Sequence, residues 1–205
     1  MRVLTTILFL AAFSSYGQDG HPVKIGLGIV EIRDTYDESR IVTIYRDKNF
    51  SEKIEDFRLY GKLIRIWPYF FKPDYGLCSF VCVEKTQSYF RILINDREEG
   101  FLKNDNEKYF KTWESVLINS TVERLDIKVN PLKENPGDDQ RSIDLTYTIK
   151  GDRLEVIDVI ELKGQHWINV RFSKSGEMPC SPDCGTAWIK WRDGDKLLVN
   201  ILRLC

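Results

Sequence analysis

Two segments of this chain repeat one pattern, a longer strand followed by a shorter one, and this repeat most constrains the fold. The sequence YFRILI occupies residues 89–94 and is followed by GFLK at 100–103. The sequence WINVRF occupies residues 167–172 and is followed by AWIK at 187–190. Alternating apolar and polar side chains are typical of strands with one buried face. The repeat therefore predicts duplicated β units instead of one large core.

The first 17 residues have the composition of a secretory signal peptide. Arg2 precedes an apolar run from Val3 to Phe13, and the small residues Ser15 and Gly17 fit cleavage before Gln18. The run is shorter than the roughly 20 residues that span a bilayer. No cysteine follows it closely. We therefore expect soluble export to the periplasm or the extracellular space, without a membrane anchor.

The charge balance weighs against strongly charged partners. Lysine and arginine total 30, and aspartate and glutamate total 31. A neutral balance gives no electrostatic reason to expect nucleic acid or anionic lipid as the main partner. With 42% hydrophobic residues, the chain can bury a substantial core.

Short strands separated by turn residues account for most of the remaining chain. Runs rich in β-branched and aromatic residues alternate with clusters of Asn, Asp, Gly and Pro. Strands are predicted over residues 24–32, 41–45, 63–67, 78–83, 89–94, 101–103, 122–129, 143–149, 153–162, 167–172, 187–191 and 196–202. This spacing is typical of small barrels or sandwiches. The fold class is therefore predicted to be mainly β.

One helix is predicted between the two β units. Asp105 or Asn106 could cap it, and apolar side chains then recur at helical spacing. These side chains are Tyr109, Phe110, Trp113, Val116 and Leu117. We expect residues 104–121 to form a short helical linker between a domain at 24–103 and a second domain at 122–205.

The five cysteines suggest a mixture of free and paired thiols. Cys78 and Cys82 lie four apart on a predicted strand, about 13 Å from each other, and so cannot form a disulfide together. Cys180 and Cys184 flank Ser-Pro-Asp, which is turn chemistry that can bring two thiols together. A local Cys180–Cys184 disulfide is therefore a candidate, and the odd number including Cys205 leaves at least one thiol unpaired within the chain.

The second half resembles the bacterial SH3-like domain. The resemblance is carried by LDIK at 125–128, the Pro-containing loop after it, IKGDRLEV at 149–156, GQHWINVR at 164–171 and AWIK at 187–190. Ala187 replaces the usual glycine of the last motif, and residues 173–184 lengthen a hairpin loop that is normally short. The first half is similar but more divergent, through residues 45–67 and 88–103.

This resemblance implies two small SH3-like β-barrels in tandem. Such domains are exported binding or spacer modules, often attached to cell-wall peptidases whose catalytic residues lie in a separate domain. That catalytic domain has no room here. The resemblance therefore implies a peptide, a cell-wall component or an envelope protein as partner, and fold alone does not identify the ligand.

Enzymatic and metal-binding alternatives depend on the cysteines and histidines. A Cys–His nucleophile needs a base within reach, and the only histidines are His21, beside the predicted cleavage site, and His166, at a predicted turn. Cys78/Cys82 with Cys180/Cys184 could supply four zinc ligands, but one pair lies on a strand instead of a turn. No phosphate-binding loop or metalloprotease motif is present. We expect no catalytic residues, metal or cofactor, and keep a cysteine-dependent enzyme or metal-binding protein as the alternative.

The best candidate binding site is an aromatic-rich segment between two predicted strands. The sequence WPYFFKPDYG at 67–76 has too many adjacent aromatics for all of them to follow one alternating face. The candidate ligand-binding residues are Trp67, Tyr69, Phe70, Phe71 and Tyr75, with Trp188 and Trp191 in the second half. Exposed aromatics could line a groove for an extended peptide. Alternatively, they fill the contact between the two barrels.

Overall fold

The computed structural model describes residues 24–32, 37–95, 97–143, 153–173 and 184–202. These residues form mainly β structure in two antiparallel sheets. The strands are β1 (Gly28–Ile32), β2 (Ile41–Tyr45), β3 (Lys53–Arg58), β4 (Phe70–Lys72), β5 (Leu77–Lys85), β6 (Tyr89–Leu93), β7 (Glu99–Lys103), β8 (Lys108–Thr112), β9 (Thr121–Arg124), β10 (Leu154–Leu162), β11 (Gln165–Ser173), β12 (Cys184–Asp193), β13 (Lys196–Leu197) and β14 (Val199–Leu202). One short helix, α1, spans Trp113–Leu117.

The first sheet contains eight strands in the order β8-β1-β5-β6-β7-β2-β3, with β4 paired to β5. Its centre is the meander β5-β6-β7, in which Cys82 pairs with Ile92 and Ile92 with Gly100. The β2-β3 hairpin joins one edge through a single pairing between Tyr45 and Phe101. Strand β1 extends the other side of β5, and β8 forms the far edge.

The second sheet contains six strands in the order β14-β9-β10-β11-β12-β13. Its centre is the meander β10-β11-β12, with irregularities after Val156 and between His166 and Trp167. The consecutive strands β13 and β14 lie at opposite edges of this order, separated in sequence by Leu198 alone. Neither sheet forms a closed barrel within the described parts of the chain.

Two hydrophobic clusters make up the core. One lies within the first sheet around Ile44, Phe80 and Phe90, each nearly inaccessible to solvent. The other contains the apolar face of the second sheet together with residues of the first half. Its first-half members are Ile25, Ile29, Val81, Leu93, Trp113 and Leu117. Burial of apolar surface is the main stabilising term in folding, so the two sheets stabilise each other through this shared core.

The segment predicted as a helical linker, residues 104–121, contains a strand and only a short helix. Tyr109 and Phe110 lie in strand β8, and the helix is only five residues long. Its N-cap is Thr112, whose hydroxyl accepts a hydrogen bond from the backbone N–H of Ser115 at 3.3 Å. Trp113 and Leu117, on one side of this turn, are buried in the shared core. The segment is therefore part of the packed structure instead of a free-standing linker.

Two other predicted strands differ from the structure. The segment predicted as a strand at 63–67 is an irregular turn, and the strand next to it in sequence is β3. The strand predicted at 122–129 ends at Arg124, and residues 125–129 form turns. Most of the strand predicted at 143–149 lies outside the described residues. In the described ranges, no helix is both long enough and apolar enough to cross a membrane.

Candidate functional site

The aromatic segment 67–76 includes strand β4 of the first sheet. Strand β4 pairs with β5, with Phe71 opposite Cys78. A single 3-10 turn at Pro73–Tyr75 follows, and it ends at Gly76, whose φ of 60° suits a residue without a Cβ. Because Pro73 starts this turn and Gly76 ends it, the chain reverses direction and returns along β5.

Part of the segment packs inward. The Tyr69 ring meets Trp113 edge to face, with ring centroids 5.4 Å apart, and is half-buried against the shared core. Phe71 is half-buried against the core of the first sheet. Phe70 is half-buried on the opposite side of β4 from Phe71. Tyr69 and Phe71 therefore fill contacts within the protein.

Two members of the segment face solvent. Trp67 is 70% exposed and Tyr75 is 56% exposed. The Lys72 ammonium lies 4.8 Å from the centroid of the Tyr75 ring, which is a cation–π contact. The aromatic residues thus divide, with Trp67 and Tyr75 accessible to a ligand and the three between them half-buried.

The candidate tryptophans of the second half also have unequal environments. Trp188 is half-buried, and its backbone exchanges two hydrogen bonds of 2.8 Å with Lys133. Trp191 is 1% exposed and belongs to the shared core, where its ring lies 6.2 Å from that of Trp113. Trp191 therefore contributes packing, and the structure does not bring it to the surface with Trp67.

Trp191 also contacts the only histidine in the described ranges. The His166 ring lies 5.8 Å from the Trp191 ring, and the Arg192 guanidinium lies 4.9 Å from it. His166 Nε2 is 2.7 Å from Arg192 Nη2. Because arginine can only donate, His166 Nε2 accepts this hydrogen bond and carries no proton. Burial and the charge of Arg192 lower the pKa of His166.

A basic turn next to the aromatic segment was missed by sequence reasoning. Residues 57–73 contain four cations and no acid. This run of positive charge could have indicated a basic surface from the sequence alone. Three of the cations are exposed: Arg58 at the end of β3, and Lys62 and Arg65 on the turn that leads from β3 to Trp67. Ile64, in the same turn, is 82% exposed.

The cysteines have different states. Cys78 and Cys82 are free and buried, which confirms that they do not pair with each other. Burial raises the pKa of the Cys78 thiol well above its usual value and that of Cys82 to about 11. Cys184 forms a disulfide. The other two cysteines, Cys180 and Cys205, lie outside the described residues, so the Cys180–Cys184 pairing stays a prediction.

Acidic, cysteine and histidine side chains in the described ranges form no group of three that could hold a metal ion.

A scan against protein-family models, a search of curated proteins and a search of solved structures each find no match to this chain.

Proposed function

We propose that this chain is an exported, non-enzymatic binding or scaffolding module of the bacterial cell envelope, built from two SH3-like units. The function combines three expectations: the N-terminal signal, the resemblance to bacterial SH3-like domains and the accessible aromatics. A peptide, cell-wall material or an envelope protein would be its partner.

The strand orders support two related units. In the first sheet the strand order β8-β1-β5-β6-β7 places β8, the last strand of the first unit, beside β1, its first strand. The three-stranded meander β5-β6-β7 follows. The second sheet has the corresponding order β14-β9-β10-β11-β12. The β2-β3 hairpin is then an addition to the first unit, inserted between its first strand and its meander. The repeated hairpins of the sequence correspond to β6-β7 and β11-β12.

The observation that carries the binding function is the exposure of Trp67 and Tyr75 on an anchored segment. A large aromatic ring left in water forgoes the stabilisation that burial would give, and exposed aromatics are characteristic of contact surfaces. Tyr69 and Phe71 hold the segment to the core between these two rings. The accessible rings are therefore presented from a fixed backbone.

The thiols weigh against the cysteine-dependent enzyme. The nucleophile in such enzymes is the thiolate, whereas burial raises the pKa of Cys78 and Cys82 and so disfavours that form. The described histidine, His166, is engaged by Arg192 and packed on Trp191. Neither group has the environment of an activated nucleophile or base.

Co-sedimentation with a bacterial cell-envelope fraction tests the proposal. The chain from Gln18 onward is mixed with the fraction, and the double variant Trp67→Ser/Tyr75→Ser is compared with Val129→Ser, an equally exposed apolar position elsewhere. We expect the wild type and the control to sediment with the envelope and the double variant to remain in solution. Equal sedimentation of all three would contradict the proposed binding surface.

A further inference from the structure

The segment from Arg58, the last residue of β3, to Trp67 is here called the basic turn, and it carries three cations beside a single bound carboxylate, that of Glu55. Its cations Arg58, Lys62 and Arg65 are exposed, and none has an ion-pair partner in the described ranges. By contrast, several cations of the first half form ion pairs, such as Lys53 with Asp56 at 2.9 Å. The whole chain is almost neutral, so the positive charge of the turn is a local feature.

The same turn projects two large apolar side chains into water. Ile64 is 82% exposed and Trp67 is 70% exposed. An isoleucine at this exposure has almost no protein around it, so it protrudes from the surface instead of lining a groove. Peptide-binding grooves bury their apolar side chains in concave walls. The protruding side chains of Ile64 and Trp67 are better suited to insertion into a membrane interface or into a pocket of another molecule.

The basic turn is held rigidly by its inward-facing groups. Leu59 and Ile66 are buried in the core of the first sheet. The Glu55 carboxylate accepts hydrogen bonds from the backbone N–H groups of Ile64 and Arg65, at 3.1 and 2.9 Å. The backbone N–H of Trp67 donates a hydrogen bond to the backbone carbonyl oxygen of Ile94, with an N···O distance of 2.6 Å. The backbone that carries the exposed side chains is therefore anchored without a bound partner.

We propose that the basic turn binds the headgroup region of an anionic phospholipid bilayer. Trp67 and Ile64 would enter the interface, where tryptophan is favoured because its ring is apolar and its N–H is polar. Arg58, Lys62 and Arg65 would lie at the level of the lipid phosphates, which attract basic residues near the surface. The inference rests on the proposed envelope location and on the exposed Trp67, and it goes beyond the partners named there by adding a lipid surface.

Vesicle co-sedimentation tests the inference with the chain from Gln18 onward, which retains every described residue and lacks the apolar signal. Vesicles contain phosphatidylcholine alone or an equal mixture with phosphatidylglycerol. We expect binding to the anionic vesicles only, and we expect this binding to weaken as salt screens the charges.

Each cation contributes about fivefold to the affinity for anionic vesicles, so Arg58→Gln/Lys62→Gln/Arg65→Gln should lose roughly a hundredfold in affinity. Ile64→Ser/Trp67→Ser should lose about tenfold or more.

Matched variants at other exposed positions make the test specific. Lys48→Gln/Lys128→Gln/Lys196→Gln removes the same charge, and Ile127→Ser/Val129→Ser removes exposed apolar side chains elsewhere. Both should bind anionic vesicles like the wild type. A far-UV spectrum and a urea midpoint equal to those of the wild type establish that each variant is folded.

Three outcomes would overturn the inference: no binding to anionic vesicles at low salt, equal loss in the matched variants, or binding to polyglutamate without binding to vesicles. The last would identify an acidic protein as the partner class. If the envelope fraction still binds in a Trp67-dependent way while vesicles do not, only the lipid inference fails. If that dependence is also absent, the proposed function fails with it.

Discussion

At the scale of single residues, the described histidine His166 has a folded environment that disfavours its protonated form. Its Nε2 accepts from Arg192, and its Nδ1 is 3.9 Å from Glu161 on the neighbouring strand β10. Glu114 of helix α1 also acts on it electrostatically. Protonation would place a second cation against Arg192 beside the Trp191 ring. The neutral imidazole is therefore the form that fits the fold.

We predict that stability falls as the pH is lowered through the histidine range. Burial and Arg192 lower the pKa of folded His166 below its ordinary value of 6.5. The stabilisation is therefore complete above the unfolded pKa and is lost as pH falls towards the folded pKa. Urea midpoints measured from pH 7.5 to 5.5 should decline in the wild type and stay level in His166→Gln. His21→Gln, at the other histidine, should behave as the wild type. An unchanged slope in His166→Gln would contradict the assignment.

Tyr69 and Trp67 form a second test at the residue scale. Tyr69 packs on Trp113 in the shared core, whereas Trp67 faces water. Tyr69→Ser should lower the free energy of unfolding by about 2 kcal/mol or more, because it removes a packed ring. Trp67→Ser should change it by less than about 0.5 kcal/mol. Urea unfolding measures both, and an equal effect would show that Trp67 is also a packing residue.

At the scale of elements, strand patterns were predictable where one face of a strand is buried and the other is not. Residues 41–45 alternate in this way and form β2 as predicted. The segment 63–67 has a strand-like composition, but the Glu55 carboxylate takes the N–H groups that a neighbouring strand would use. That contact comes from nine residues away and has no local signal.

The predicted helix was longer than the observed α1 for a related reason. Helical spacing of Tyr109, Phe110 and Trp113 also fits a strand followed by a turn, and pairing of β8 with β1 decides between them. Likewise, nothing in the local sequence distinguishes Tyr69 from Trp67. Which aromatics of the candidate site are accessible depends on Trp113, more than forty positions away in the sequence.

The Glu55 contact supports an element-scale prediction. Glu55→Ala should release the basic turn, because two backbone donors lose their acceptor, at a cost of about 0.5–2 kcal/mol. Hydrogen exchange of the Ile64 and Arg65 amides should accelerate well before global unfolding. Glu52→Ala is the control, since Glu52 is exposed and pairs only with Arg46 in the described ranges. Unchanged exchange in Glu55→Ala would contradict the anchoring role.

At the scale of the whole molecule, the shared core joins the two halves across the predicted boundary at 104–121. Ile29 of β1 and Val156 of β10 belong to the same buried cluster. Ile25 also takes part through its carbonyl oxygen, which accepts a hydrogen bond of 2.7 Å from the buried Trp113 indole. The second sheet therefore lacks a complete core without the first.

We predict one cooperative unfolding transition. Ile29→Ala and Val156→Ala each create a cavity in the shared core and should lower the same midpoint, Ile29→Ala by about 2 kcal/mol or more. Tryptophan fluorescence and far-UV circular dichroism should report coincident transitions. Two separate transitions, each moved by only one of the variants, would instead establish independent domains at 24–103 and 122–205.

The shared core has a mechanical consequence. Because the two halves bury Trp113 between them, a rotation of one half against the other would open a gap around that ring. A surface bound at the basic turn would therefore also set the orientation of the second sheet relative to that surface.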